Sequence, residues 1–452
     1  MTVSEIFSAH INDLNWDDIE TSARYSATLF LHDSICVGVA GSQAPYSDNI
    51  AAVAALWGEP RQWPCLVLGR PNLRLPAASA AFVNAFQIHG QEFDCVHESA
   101  VVHPLATIVA VLLADAQQYG PVSGRDFMTA LCAGVDISVA LGLAATSPLR
   151  FFRPATAGIF GCVAAVAKLR RLSPSVTTHA LGYALAFAGG TMQAHVEGLP
   201  TLPIQIAAAA RSAIQAVDIA QAGLPGPLAA IEGPFGYLSL FEESSDLEPV
   251  LADLASRRRI SEVSWKPFPT GRAAHGGIVA TQDLMADSGV TVENLSRLIY
   301  RAPPLIHRLV GRPAREGMTP AYARLCFPYL ASLVLRFGSV RLQDFSTHRL
   351  HDPTTLELAG RISVEVNHVR DPAAFTPAVA EAHLTTGATV RVDVTAQLGS
   401  PERPLTLEQH HAKARQCLSF AGLERCADRL ADAVFNLDRS DDVAATIASA
   451  FR

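Results

Sequence analysis

Five ionisable side chains fall within twelve residues of the run EFDCVHESAVVHP: Glu92, Asp94, His97, Glu98 and His103. Neighbouring charges held this close can push pKa values towards neutrality, which is what general acid–base chemistry needs. The same run also fits a solvated loop. A metal is not expected. Six positions separate His97 from His103, so the run is not HExxH, and no other pair has zincin or zinc-finger spacing.

A second run, WKPFPTGRAAHGG, carries Lys266, Arg272 and His275. Two fixed positive charges and an imidazole on a Pro-rich loop could clamp a carboxylate, Arg through its bidentate fork and Lys as a point charge. A turn with surface charges is the plainer reading. GxGxxG, P-loop and Gly-x-Ser-x-Gly signatures are absent, so no motif indicates a dinucleotide, a nucleoside triphosphate or a serine nucleophile. His410-His411 reads as a surface pair on a polar helix, and Arg257-Arg258-Arg259 as a solvated linker.

The elements that must position these runs are mostly helices. Trp16-Asp17-Asp18 can cap a helix running towards Gly41, and Ala77–Gln87 is helix-like up to His89-Gly90. Leu66-Val67-Leu68 is at most a short strand. Gln91 to His103 is then a polar loop between two apolar helices, a natural place for chemistry. Residues 104–225 are Ala-rich and helical, with helix ends expected at Gly142, Gly189-Gly190 and Gly223. After about residue 262 the pattern alternates, over Val290–Arg301, Arg361–His368 and Ala388–Leu398, around a helical stretch Thr319–Phe337. Thr406 with Gln409 three residues later marks a capping box and a return to helix. The expected fold class is mostly α: a large all-helical domain, 1–262 with a C-terminal return at 400–452, and a smaller α+β lid domain, 263–399.

Composition agrees with an enzyme-sized globular chain. The 452 residues are 49% apolar and 17% charged, enough to bury a large core. The net charge of -7 gives no basic surplus, so no nucleic-acid partner is expected. Mean hydropathy is +0.22, but Leu105 to Ala116 is too short for a membrane span and the N-terminus has no basic n-region. No membrane association is expected. Eight Cys without a CxxC pair suit a reducing, cytoplasmic location.

At its two polar runs the chain resembles the MmgE/PrpD family. The family's Asp-Phe-Asp-Asp-x-His followed by His-Pro is similar to Glu92-Phe93-Asp94-Cys95-Val96-His97 with His103-Pro104. Its Lys-Pro-x-Pro-x-x-Arg-x-x-His resembles Lys266-Pro267-Phe268-Pro269 with Arg272 and His275. Ala157–Leu169, Ile231–Gly236 and Gly399–Thr406 resemble its small-residue helix, its Glu-Gly turn and its Gly-Ser-Pro entry to the last helices. The resemblance implies a cofactor-independent enzyme with a helical domain and an α+β lid, acting on a small carboxylate substrate, and usually a homodimer.

Departures from the family pattern are as informative. Its first acidic Asp is Glu92 and its fourth residue is Cys95. A His before Pro falls at Phe152, next to Arg153. The Lys and His of its Lys-x-x-His-x-Gly motif fall at Leu202 and Gln205, and a lid Tyr falls at Leu309. Each lost Lys or His removes a partner for a carboxylate, and each Phe or Leu favours apolar ligand groups at about 25 cal/mol per Å² buried. Arg150 or Arg153 could restore the missing charge.

The resemblance therefore implies a lyase of dehydratase or decarboxylase type, moving a proton at a carbon α to a carboxylate of an acid other than a tricarboxylate. An epimerase, or a degraded subunit that only binds, are the alternatives. The expected catalytic residues are His103, Asp94, Lys266 and His97. The expected substrate contacts are Glu92, Arg272, His275, Phe152, Leu202 and Arg153.

Overall fold

The computed structural model describes residues 1–59, 64–371 and 373–452. Its buried apolar side chains form two clusters. One is drawn almost wholly from residues 3–265 and 414–450, the other from residues 268–394.

Helices dominate the first cluster because its sequence is rich in Ala and poor in breakers. Gly124–Ala144 and Gly158–Leu169 lie against each other at their glycines. A Cβ on Gly134 would stand 2.7 Å from the Gly161 carbonyl oxygen, and one on Gly161 equally close to that of Gly134. Gly142 does not end its helix, which runs two residues further and has Gly142 packed against Ala100. Helix Gly124–Ala144 is long and apolar enough to cross a membrane, and here it lies buried in the core. The helical part is not wholly helical: β1 (Cys65–Val67) and β2 (Arg70–Leu75) pair antiparallel.

The second cluster covers a four-stranded sheet of β3 (Leu295–Ala302), β4 (Ile362–Val366), β5 (Ala378–Leu384) and β6 (Thr389–Val394), in the order β4-β3-β5-β6. β3 and β4 are parallel, with Leu298 opposite Ile362, so the chain between them must cross over. It does so through short helices and Phe327–Phe337, whose Phe327 ring lies 5.0 Å from that of Tyr300 on β3. The helix Leu407–Phe420 opens with the Thr406–Gln409 capping box and returns to pack on Thr21–Gly41.

That return buries groups expected at the surface. His410 is 1% exposed, with its Nε2 2.9 Å from His32 Nδ1. Arg258 and Arg259 are buried too, because Asp136 and Asp253 pair with them.

Candidate active site

The run from Glu92 to His103 sits between helix Ala77–His89 and helix Pro104–Tyr119, whose first position is a proline with φ already suited to it. Two non-glycine residues of this run, Glu92 (φ 50°) and Val101 (φ 51°), lie in the left-handed region. That is a costly conformation for both, and for a β-branched residue above all. Surrounding bonds hold it. Val96 and Ser264 exchange backbone hydrogen bonds at 3.0 and 2.8 Å, which lays the loop beside the Lys266 segment. Lys413 donates to the Phe93 carbonyl at 2.8 Å, and Arg324 to that of Gln91 at 2.9 Å.

Asp94 is the centre of the arrangement and is fully buried. Its Oδ2 lies 2.9 Å from His103 Nδ1 and 3.1 Å from His89 Nδ1. Lys266 Nζ donates to Glu92 Oε2 at 2.7 Å and lies 3.6 Å from Asp94 Oδ1. Burial alone would raise the Asp94 carboxyl, but His103, His89 and Lys266 outweigh it and hold it well below the usual range. Glu92 likewise is raised by burial, yet Lys266 and the two histidines bring it to about 2.

The two imidazoles move in opposite directions. Burial lowers His89, but Asp94 and Glu92 outweigh burial and raise it above 6.5. Burial also lowers His103, Asp94 resists, and Lys266 and His89 add to the lowering, so it stays below 6.5. His89 therefore keeps its proton to higher pH than His103 does. With its Nδ1 proton donated to Asp94, His103 offers Nε2 as a base. With His89 protonated, Glu92 and Asp94 face two cations, His89 and Lys266, and the cluster carries no net charge.

His103 and Glu92 border a cavity of about 580 Å³ whose other walls include Leu149, Phe152, Leu202 and Leu309. Glu92 and Leu202 also border a neighbouring cavity of about 630 Å³, reached by His89 and Arg324. The apolar replacements read from the sequence thus lie around His103.

Several expected contacts stand elsewhere. His97 is turned from the cavity: its Nε2 meets Glu262 at 3.1 Å and its Nδ1 accepts from the Ala100 N–H at 3.2 Å. Lys266 is enclosed behind Glu92, so it cannot clamp a ligand carboxylate. Arg272 borders the cavity, but its fork is committed to Glu98 at 2.8 Å and to the Leu398 and Trp265 carbonyls at 2.7 and 3.0 Å. His275 is fully buried against the Thr270 carbonyl, and burial and Arg272 hold it neutral. Arg153 forms a two-pronged pair with Glu242, both contacts at 2.9 Å, while Arg150 lies exposed beside Glu243. Neither replaces the missing charge, because an acid within reach already holds it.

The sequence reading missed His89, the second imidazole on Asp94. The available signal was a histidine at the end of an apolar helix, five residues before Asp94. It also missed His195, which borders the cavity and is followed in space by Arg312.

Among the described residues, His89, Asp94 and His103 are the one set whose ligand atoms converge, within 4.8 Å. Both Nδ1 atoms already form hydrogen bonds to the carboxylate, and an ion there would have to displace these bonds beside the Lys266 ammonium. The donor set suits proton sharing better than a cation.

Residues 5–250 match the MmgE/PrpD N-terminal domain and residues 268–438 the MmgE/PrpD C-terminal domain. The chain is 26% identical to "Cis-aconitate decarboxylase-like protein oryM" of Aspergillus oryzae, over 97% of this chain and 95% of that protein. It is 27% identical to cis-aconitate decarboxylase of Homo sapiens over 71% of this chain and 65% of that protein. It is 25% identical to cis-aconitate decarboxylase of Mus musculus over 98% and 91%.

Proposed function

The chain belongs to the MmgE/PrpD family, and on that premise we propose that it is a cofactor-independent lyase, of dehydratase or decarboxylase type, that moves a proton at a carbon α to a carboxylate. The observation that carries this reading is the opposite displacement of His89 and His103 about Asp94. Two titratable groups pushed apart by their surroundings are the usual mark of an acid–base pair.

In this mechanism His103 Nε2 takes the proton from the substrate carbon. The imidazolium that forms is stabilised by Asp94, which fixes the ring and its tautomer without itself taking the proton. Protonated His89 and Lys266, in the layer behind, offset the two carboxylates. The cluster thus stays near neutral until the proton arrives. In a dehydration the electron pair left on the carbon expels the neighbouring hydroxyl, which takes a proton from the His103 imidazolium and leaves as water; in a decarboxylation His103 acts in the opposite sense, giving its proton to the carbon as the C–C bond breaks and CO2 leaves.

The relatives bear the name of an enzyme for a tricarboxylate, and we read this chain as differing from them in substrate charge. Phe152, Leu202 and Leu309 around His103 favour an apolar arm, and burying a further carboxylate without a partner costs several kcal/mol. We further propose a homodimer. Leu224, Leu228, Phe235 and Leu240 are exposed along one stretch of the helical part, and sedimentation at micromolar concentration showing only a ~48 kDa species would contradict it.

Incubation with a panel of mono-, di- and tricarboxylic acids in heavy water tests the reaction class. Wash-in of deuterium at the α carbon, together with release of water or CO2, is the expected result. Exchange with inversion and no release would instead identify an epimerase, and no exchange with any acid would remove the reading.

A further inference from the structure

In the layer behind His103, His89 borders the second cavity, of about 630 Å³. The ring is 1% exposed, and its Nδ1 lies 3.1 Å from Asp94 Oδ2. Its Nε2 is enclosed and has no hydrogen-bond partner. Glu92 Oε1, at 3.6 Å, is too far to accept from it, and Glu92 Oε2 is held by Lys266. A buried ring N–H without an acceptor is costly, and a ligand oxygen in the cavity would complete it.

Arg324 borders the same cavity and is buried. Its hydrogen bonds go to the Gln91 and Pro269 carbonyls and to the Gln91 side-chain oxygen, so among the described residues no acid pairs with it. Burial lowers it to about 9, which leaves it charged at neutral pH. One wall of the cavity thus holds an unmatched charge and an unused proton donor. Pro45, Leu199, Pro200 and Pro203 make the remainder apolar.

The two cavities adjoin, since Glu92, Leu202 and Leu325 border both. The His89 and His103 rings lie 4.7 Å apart and hang from one oxygen of Asp94 by their Nδ1 atoms, so both Nε2 atoms point away from that oxygen. This separation suits a carbon at one Nε2 and its own carboxylate at the other.

Resting on the reading of His103 as the base, we infer that the second cavity is a carboxylate subsite, in which the carboxylate bonded to the reacting carbon accepts from His89 Nε2 and faces Arg324. When His103 takes the α proton, the electron pair left on the carbon spreads into that carboxylate as an enediolate. His89 keeps its proton and holds one of the oxygens by a charge-assisted hydrogen bond that strengthens as their charge grows. The upward displacement of His89 favours the doubly protonated ring that this contact needs. The substrate is then an acid with one carboxylate on its reacting carbon and an apolar body against Phe152 and Leu309.

The test is calorimetric titration of the full chain with isovalerate, succinate and methylsuccinate, beside the neutral isovaleramide. Wild type, His89→Gln, Ala321→Trp and His103→Gln are compared. Ala321 borders the second cavity and not the first, so a larger side chain there fills that one alone. At least one acid, and not the amide, should bind wild type. His89→Gln should weaken that acid by roughly 30-fold or more, and Ala321→Trp should abolish its binding. In protein with isotopically labelled histidine, the His89 Nε2 proton resonance should move downfield when the acid binds, which a ring that only positions Asp94 would not show. Should His89→Gln fail to fold, the other two readouts decide. His103→Gln should bind the acid as wild type does and exchange no deuterium at its α carbon. Wild-type affinity in His89→Gln or in Ala321→Trp, an unmoved ring proton, equal binding of the amide, or no binding of any acid each overturns the subsite. Retained exchange in His103→Gln would instead overturn the base and leave the subsite standing on its binding data.

Discussion

His103 Nδ1 lies 2.9 Å from Asp94 Oδ2, and that bond fixes which ring nitrogen is free to take a proton. The same oxygen lies 3.1 Å from His89 Nδ1, with the two rings 4.7 Å apart at 76°. One carboxylate so placed serves two imidazoles whose pKa values move in opposite directions.

This sets the pH dependence. Activity that needs neutral His103 rises with pH through a value below 6.5, and activity that needs protonated His89 falls as pH rises through a value above 6.5. The kcat/KM profile should therefore be a bell spanning 6.5, its two limbs belonging to the coupled pair. Asp94→Asn removes the charge that holds His89 protonated and should move the alkaline limb downwards. An acid limb above pH 6.5 in wild type would reverse the two assignments.

Stability follows a separate sign. Glu92 is depressed from 4.5 to about 2, so its pairing stabilises the fold fully above pH 4.5 and is lost as pH falls towards 2. Glu92→Gln should flatten the melting-temperature profile in that window. An unchanged acid slope would show that Lys266 does not hold Glu92.

Arg153 is predicted to be structural. Arg153→Met leaves Glu242 buried and unpaired, which costs about 3–5 kcal/mol. Chemical denaturation should show that loss, while KM of the protein that remains folded stays at the wild-type value. A raised KM with unchanged stability would return Arg153 to the substrate.

How much of this was legible in the sequence differs by element. The Glu92–His103 and Lys266 runs and the apolar replacements could be read because their residue types are unusual for an Ala-rich chain. β5 was not, because AVAEAHL has a helical composition and becomes a strand only between β3 and β6. His410, read with His411 as a surface pair, looked polar and exposed. Yet His410, Lys413, Ala414, Cys417 and Leu418 follow the spacing of one helix face, and that face is the buried one. The partners of Arg272, Arg153 and Lys266 could not be read, since each pairs with an acid far away in the chain or across a turn that only the fold brings near.

The apolar wall predicts substrate charge. Steady-state kcat/KM on cis-aconitate and on 2-methylcitrate should fall below about 10⁴ M⁻¹ s⁻¹, with a mono- or dicarboxylic acid turned over faster. Efficient turnover of either tricarboxylate would show that Phe152 and Leu202 do not set the charge of the substrate.

Chelation checks the proton-sharing account of His89, Asp94 and His103. Prolonged dialysis against a strong chelator should leave turnover unchanged. Loss of activity that returns with a divalent cation would make the trio a metal site.

The most direct measurement is kcat of His103→Gln on whichever acid the wild type turns over, with the melting temperature taken alongside. The account predicts a loss of roughly 10²–10⁴-fold, no deuterium exchange at the α carbon, and a melting temperature close to wild type. Near-wild-type kcat in a folded His103→Gln protein would contradict it.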